Sequence, residues 1–282
     1  MQLREIATTD MVDVSPSDTT DKAIALMEEH DIHHLPVVVD GRPVGIVSDR
    51  DLLRSVGWLA AVDRTDLHDG EIIGPRFVSD VMTSPVRTLD AEDTVEDAAR
   101  LMLSEQIGAV ALTSGEQLVG LVAESDILRC FTDDRMKFSY SRWRFEKVAD
   151  QMCANVFSLE QNDPILRATR MMKDKDVRHI PVLSNGHLVG IISDRDVRKA
   201  CFLERVEWLR DDQHEAHARV NLKDVMSRKP LSVFPSSTLA DAASRLVESR
   251  IGALPVVDHG RLCGIITEGD LLNAFVHAVT PA

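Results

Sequence analysis

The chain has 282 residues, more than one small domain needs and suited to two domains or to an array of repeats. Hydrophobic residues make up 44% and charged residues 28%, which excludes a disordered or fibrous architecture. The 32 basic residues against 46 acidic ones leave a net charge of −14, which opposes nonspecific attraction to nucleic acid or to an anionic membrane, so an anionic ligand must find a local basic site. No apolar run has the length of a membrane span, and Met1–Asp10 lacks the apolar core of a signal peptide. Cys130, Cys153, Cys201 and Cys263 form no C-x-x-C pair, which points to free thiols in a cytoplasmic protein rather than to disulfides or zinc.

Internal repetition organises the rest. The phrases VGIVSDRD (Val44 to Asp51), VGLVAESD (Val119 to Asp126), VGIISDRD (Val189 to Asp196) and CGIITEGD (Cys263 to Asp270) recur about every 70 to 75 residues. The first unit reads as a short strand MVDV, an amphipathic helix AIALMEEHDI, a strand HLPVVV, a turn at Asp40-Gly41, the glycine phrase and a closing helix. In the second, PVRTL leads to a capping box at Thr94 to Asp97, the helix AARLMLSEQI, the strand AVALT and a turn at Ser114-Gly115. The third has NVFSL, then Asp163 as cap with Pro164 at the first helical position, ATRMMKDKDV, HIPVL and a turn at Asn185-Gly186. The fourth has PLSVF, a capping box at Thr238 to Asp241, AASRLVESRI, ALPVV and a turn at His259-Gly260. Loops at about 58–75 and 203–220 join neighbouring units, and the polar stretch Thr132–Phe145 separates two pairs of units. Leu26/Met27, Leu101/Met102 and Met171/Met172 occupy equivalent helix positions and read as core.

Odd and even units differ. The first and third share His-h-Pro-Val and Ser-Asp-Arg-Asp; the second and fourth share Ile-Gly-Ala (Ile107 to Ala109, Ile251 to Ala253) and lack the arginine. A duplicated two-unit module explains this.

In each phrase Ser48, Ala123, Ser193 or Thr267 precedes by three residues Asp51, Asp126, Asp196 or Asp270, at a strand-to-helix junction suited to phosphate. The hydroxyl can donate to a phosphate oxygen, and the aspartate can accept from the two hydroxyls of a ribose. The same spacing is also a capping box that needs no ligand. Two features favour a ligand: the aspartate recurs where Ala123 breaks the reciprocal box, and Arg50, Arg195, His33/His34 and Arg178/His179 gather beside the odd junctions. Nothing completes a metal set around the histidines, and no catalytic motif stands out.

These phrases, with the h-Pro-Val strands at Pro36, Pro181 and Pro255 and Asp-Val-Met at 80–82 and 224–226, resemble the CBS (cystathionine-β-synthase) domain family, arranged as four motifs in two Bateman modules. The four-motif arrangement is similar to the γ subunit of the AMP-activated kinase and to stand-alone prokaryotic CBS proteins. The resemblance implies an α+β fold of four β-α-β-β-α repeats in two pseudo-two-fold pairs. The first pair would span 1–135, with motifs at about 4–57 and 76–131, and the second 136–282, with motifs at about 146–202 and 220–277. It implies a noncatalytic regulator with adenine nucleotide (AMP, ADP or ATP), alone or with Mg, in clefts between paired repeats. Asp51, Asp196 and Asp270 would bind ribose, as would Asp126 in the most divergent unit. Ser48, Ser193 and Thr267 would meet ribose or phosphate, and Arg50, Arg195, His34 and His179 would face phosphates. Ile46, Ile191 and Ile265, with the opening strands near Val14, Thr88, Ser158 and Val233, would flank the adenine. A homodimer acting on an unidentified protein partner, a ligand-independent scaffold and an S-adenosylmethionine sensor are the further expectations.

Overall fold

The computed structural model describes residues 1–55, 77–132, 141–197, 199–200 and 220–279. Cys201 and the expected loops at 58–75 and 203–220, apart from residue 220, lie outside the described residues.

Each repeat is built around an antiparallel hairpin: β1 (His34–Val39) with β2 (Arg42–Ser48), β4 (Ala109–Ser114) with β5 (Gln117–Ala123), β7 (His179–Ser184) with β8 (His187–Ser193), and β10 (Ala253–Asp258) with β11 (Arg261–Thr267). The opening segment pairs in parallel with the first hairpin strand, through β3 (Thr88–Asp90) and β6 (Leu159–Glu160) in the second and third repeats. In the first and fourth the expected strand shrinks to single bridges at Val14 and Val233. Asp40-Gly41, Asn185-Gly186 and His259-Gly260 all have positive φ, which matches the right-handed twist of the flanking strands. The second turn differs from expectation. Ser114 is still paired with Gln117, so the turn is Gly115-Glu116, and of these two Gly115 alone is left-handed.

The helix before each hairpin has an apolar face: α1 (Thr20–His30), α3 (Val95–Glu105), α5 (Ile165–Lys175) and α6 (Leu239–Ser249). Thr19, Thr94 and Thr238 cap three of them with side-chain oxygens. The third start corrects the sequence reading. Pro164 is itself the cap residue, in extended conformation, while Asp163 turns back to accept the Glu160 N–H at 2.8 Å. Met27, Met102 and Met172 are buried as expected. Each hairpin then leads into a closing helix: α2 (Asp49–Ser55), α4 (Glu124–Thr132), residues 194–197 in the third repeat, and α7 (Glu268–Val279).

Paired repeats exchange their openings. Leu3 and Thr8 of the first bond Asp93 and Leu121 of the second, while Val78 and Thr83 of the second bond Asp18 and Ile46 of the first. The third and fourth repeat this through Val148 with Ser237, Cys153 with Ile265, Leu222 with Asp163, and a short strand β9 (Ser227–Arg228) beside β8. The glycine of each phrase is the notch for the exchange. A Cβ on Gly45 would lie 2.6 Å from Met82 Sδ and one on Gly120 3.1 Å from Ala7 Cβ, and Met226 and Met152 crowd Gly190 and Gly264 in the same way. The Met of Asp-Val-Met therefore packs on the partner repeat.

The pairs join unequally. The second and fourth repeats share one core in which Phe131, Trp143 and Phe275 stack, with ring centroids 4.9 Å apart for Phe131–Trp143 and 4.3 Å for Phe131–Phe275. The first and third keep separate cores around Leu35 and Ile180. The stretch Thr132–Phe145, expected as a polar separator, ends in a short helix, Ser141–Phe145. That helix buries Trp143, whose Nε1 donates to the Leu271 carbonyl at 3.2 Å.

Candidate functional site

The second strand of every hairpin delivers its last residue to the start of the closing helix, and the aspartate three residues on turns back to it. Asp51 Oδ2 accepts from Ser48 N–H at 2.9 Å and from its hydroxyl at 2.6 Å; Asp196 does so with Ser193 at 2.9 and 2.8 Å, and Asp270 with Thr267 at 2.8 and 2.7 Å. Asp126 accepts the Ala123 N–H at 2.9 Å. Loss of the hydroxyl therefore removes only half of the box, and capping accounts for the aspartate in all four repeats, contrary to the sequence argument from Ala123. The hydroxyls of Ser48, Ser193 and Thr267 spend their proton on the aspartate instead of offering it outward. Among the described residues, Oδ1 of Asp51, Asp196 and Asp270 has no hydrogen-bond partner, so one oxygen caps and the other remains an acceptor. Asp126 Oδ1 faces Arg129 at 3.5 Å.

The expected base-flanking residues divide. Val14, Val233 and Ile265 are core residues, 1%, 3% and 9% exposed, whereas Ile46, Ile191, Thr88 and Ser158 keep some exposure. Ile46 and Ile265 also anchor the exchanged openings through Thr83 and Cys153.

The basic residues meet across the two pairs. Arg50 forms an ion pair with Asp176, the Arg195 guanidinium bonds the His33 ring, and Arg250 pairs with Asp31 at 3.1 Å. His33 in turn lies 3.4 Å from Asp49. Arg195 bonds the adjacent Asp194 through its backbone N–H, at 2.8 Å. His34 and His179 are half-buried, and removal from water pushes both imidazoles down to about 4, which leaves them neutral at pH 7.

Two acids, Glu124 and Glu268, went unread in the sequence although their signal was there. The first residue of each closing helix is acidic: Asp49, Glu124, Asp194 and Glu268. Burial, reinforced by Glu124, raises Glu268 to about 7; burial, reinforced by Asp49, raises Asp194 to about 6; and burial raises Glu124. Arg178 lies within electrostatic reach of all three. Among the described residues no group of three or more His, Cys, Asp or Glu is placed to hold a metal ion, and no helix is long and apolar enough to cross a membrane.

The four repeats of this geometry coincide with four matches to the CBS domain family, at residues 3–57, 78–133, 147–202 and 222–277. The chain belongs to the CBS domain family. It is 29% identical over 276 residues to the uncharacterized protein MJ1225 of Methanocaldococcus jannaschii, covering 94% of this chain and 95% of that one. The crystal structure of MJ1225, described as a candidate archaeal homologue of g-AMPK, superposes with TM-score 0.78 at 27% identity over 98% of this chain and all of that one. An uncharacterized conserved protein of Pyrococcus horikoshii has the same fold, with TM-score 0.65 at 21% identity over 98% of this chain and all of the other. The α+β architecture of paired CBS repeats follows from both the geometry and these likenesses.

Proposed function

We propose that this CBS protein is a noncatalytic cytoplasmic sensor of adenine nucleotides. The observation that carries the reading is the gathering of Arg50, Arg178 and Arg195, with His34 and His179, beside aspartates that keep one free acceptor, in a chain of net charge −14. Oδ1 of Asp51 and Asp196 would accept from ribose hydroxyls, and phosphate would draw the guanidinium groups of Arg50 and Arg195 from Asp176 and His33. Those two contacts join the first and third repeats, so ligand would bind the joined and parted arrangements unequally, which is the condition for signalling to a protein partner. Phosphate-bearing ligands fit this charge better than S-adenosylmethionine, whose sulfonium is a cation.

A ligand-independent scaffold is the second reading, favoured by the closed capping boxes and the arginines already paired. Asp196→Asn separates the two, because the amide oxygen still caps while its NH2 no longer accepts. Under the sensor reading, calorimetry detects AMP, ADP or ATP, and Asp196→Asn weakens binding about tenfold with the apo melting temperature nearly unchanged. Absence of binding by all three and by S-adenosylmethionine at millimolar concentration would leave the scaffold.

A further inference from the structure

The odd and even repeats differ at equivalent positions of the first hairpin strand. His34 pairs in register with Ser48 and His179 with Ser193, whereas Ala109 pairs with Ala123 and Ala253 with Thr267. One residue earlier stand His33 and Arg178 in the odd repeats, Gly108 and Gly252 in the even ones. At the second position of each closing helix, Arg50 and Arg195 likewise alternate with Ser125 and Gly269. At these three positions the large basic groups come from the odd repeats, and their even counterparts are small.

Backbone conformation does not call for these glycines. Among the described residues the glycines with positive φ are Gly41, Gly115, Gly186 and Gly260, so Gly108 and Gly252 adopt conformations open to any residue. Space is what requires them. A Cβ on Gly108 would stand 3.1 Å from Nε2 and 3.2 Å from Cε1 of His34, and one on Gly252 would stand 2.9 Å from Cε1 and 3.2 Å from Nε2 of His179. The same two points lie 3.8 Å from Glu124 Oε2 and 3.6 Å from Glu268 Oε2. In each pair the odd imidazole rests its outer edge on the even glycine, and the carboxylate that opens the even closing helix lies on the same spot.

We infer that Gly108 and Gly252 are positioning residues, whose missing side chains seat His34 and His179 at the junction of each pair and so set the affinity for the phosphate end of a bound nucleotide. The selectivity rests on the nucleotide reading above; the seating rests on the contact alone. A methyl group at either glycine must push the ring aside, because backbone holds the glycine and the ring is the part free to rotate. Adenosine, which presents no phosphate, would be indifferent to that rotation.

The test compares AMP with adenosine on the full chain. Gly252→Ala and Gly108→Ala should each weaken AMP about five- to tenfold at the pair that carries them and change adenosine less than about twofold. Gly252→Ala combined with His179→Ala should be no weaker than His179→Ala alone, since the ring is then gone. Equal losses for AMP and adenosine, or additive losses in the double variant, would overturn the inference. Where Gly252→Ala folds poorly, the double variant should regain the stability of His179→Ala, because it removes the clash. Seating also has a readout without ligand: the His179 Cε1–H resonance should move in Gly252→Ala while that of His187 stays, and an unmoved ring resonance sinks the proposal. Failure of the unmutated chain to bind AMP, ADP or ATP would overturn the nucleotide reading and the phosphate role with it, while the ring resonance would still decide the seating.

Discussion

The even repeats meet through a dry core and the odd repeats through charge. Between the second and fourth, Phe131, Trp143 and Phe275 are fully buried in one continuous cluster. Between the first and third, Arg50 with Asp176 and Arg195 with His33 lie at a partly exposed seam. Apolar burial is non-directional and cannot be exchanged for a solute, whereas an ion pair at a wet seam can be traded for a phosphate at little net cost. The two pairs are thus joined by apolar burial at one junction and by polar, partly exposed contacts at the other, an asymmetry that matches where the basic side chains sit.

The largest effect should come from breaking the apolar side. Phe275→Ala removes a ring at the centre of the shared core and leaves a cavity beside Phe131 and Trp143, at a cost of about 3–5 kcal/mol. Urea unfolding followed by Trp fluorescence should show this loss. A cost below about 1 kcal/mol would mean that the even repeats do not form one core.

Next in size is a pH effect at the place where the two junctions adjoin. Glu268 is raised from 4.5 to about 7 by burial and by Glu124, so folding favours its protonated form. The penalty is absent below the unfolded value, grows as pH rises, and is complete above about 7, where it amounts to about 3 kcal/mol. Glu268→Gln should therefore match the unmutated chain in melting temperature near pH 5 and exceed it at pH 8. The imidazoles run the other way: His34 and His179, lowered to about 4, contribute stability above pH 6.5 that is lost as pH falls towards 4. Equal melting temperatures for Glu268→Gln and the unmutated chain at pH 8 would place the carboxylate in water.

Much of this was legible because repetition multiplies weak signals. Thr94 and Thr238 announced their helices, and three Asn-Gly-like turns announced their hairpins, since each depends on residues close in sequence. Helix ends were less readable: Asp31, Gln106, Asp176 and Arg250 take the left-handed cap conformation, which sequence readers assign to glycine. The exchange of openings was hidden, because Met82 over Gly45 pairs residues of different repeats and a lone glycine in a strand has several explanations. At the site, Ser48, Asp51 and their equivalents were found as a constellation, yet whether the carboxylate faces its own backbone is a rotamer choice that spacing does not encode. The carboxylates of Glu124 and Glu268 were missed for a related reason. Their acidity reads as helix-end chemistry until the fold brings the two repeats together.

The smallest change in stability should accompany an informative change in binding. The Arg50–Asp176 pair is partly exposed, with the aspartate side chain 66% accessible, and asparagine tolerates the left-handed cap conformation of residue 176, so Asp176→Asn should cost less than about 1 kcal/mol and should cost nothing measurable in 1 M salt. If phosphate opens this seam, that substitution frees the Arg50 guanidinium for phosphate and raises AMP affinity about two- to fivefold, while Arg50→Ala lowers it. Opposite signs from the two halves of one ion pair are what competition between carboxylate and phosphate requires. If both variants weakened AMP, the pair would be holding the cleft together, and the odd junction would be a second fastening in place of a seam that ligand can open.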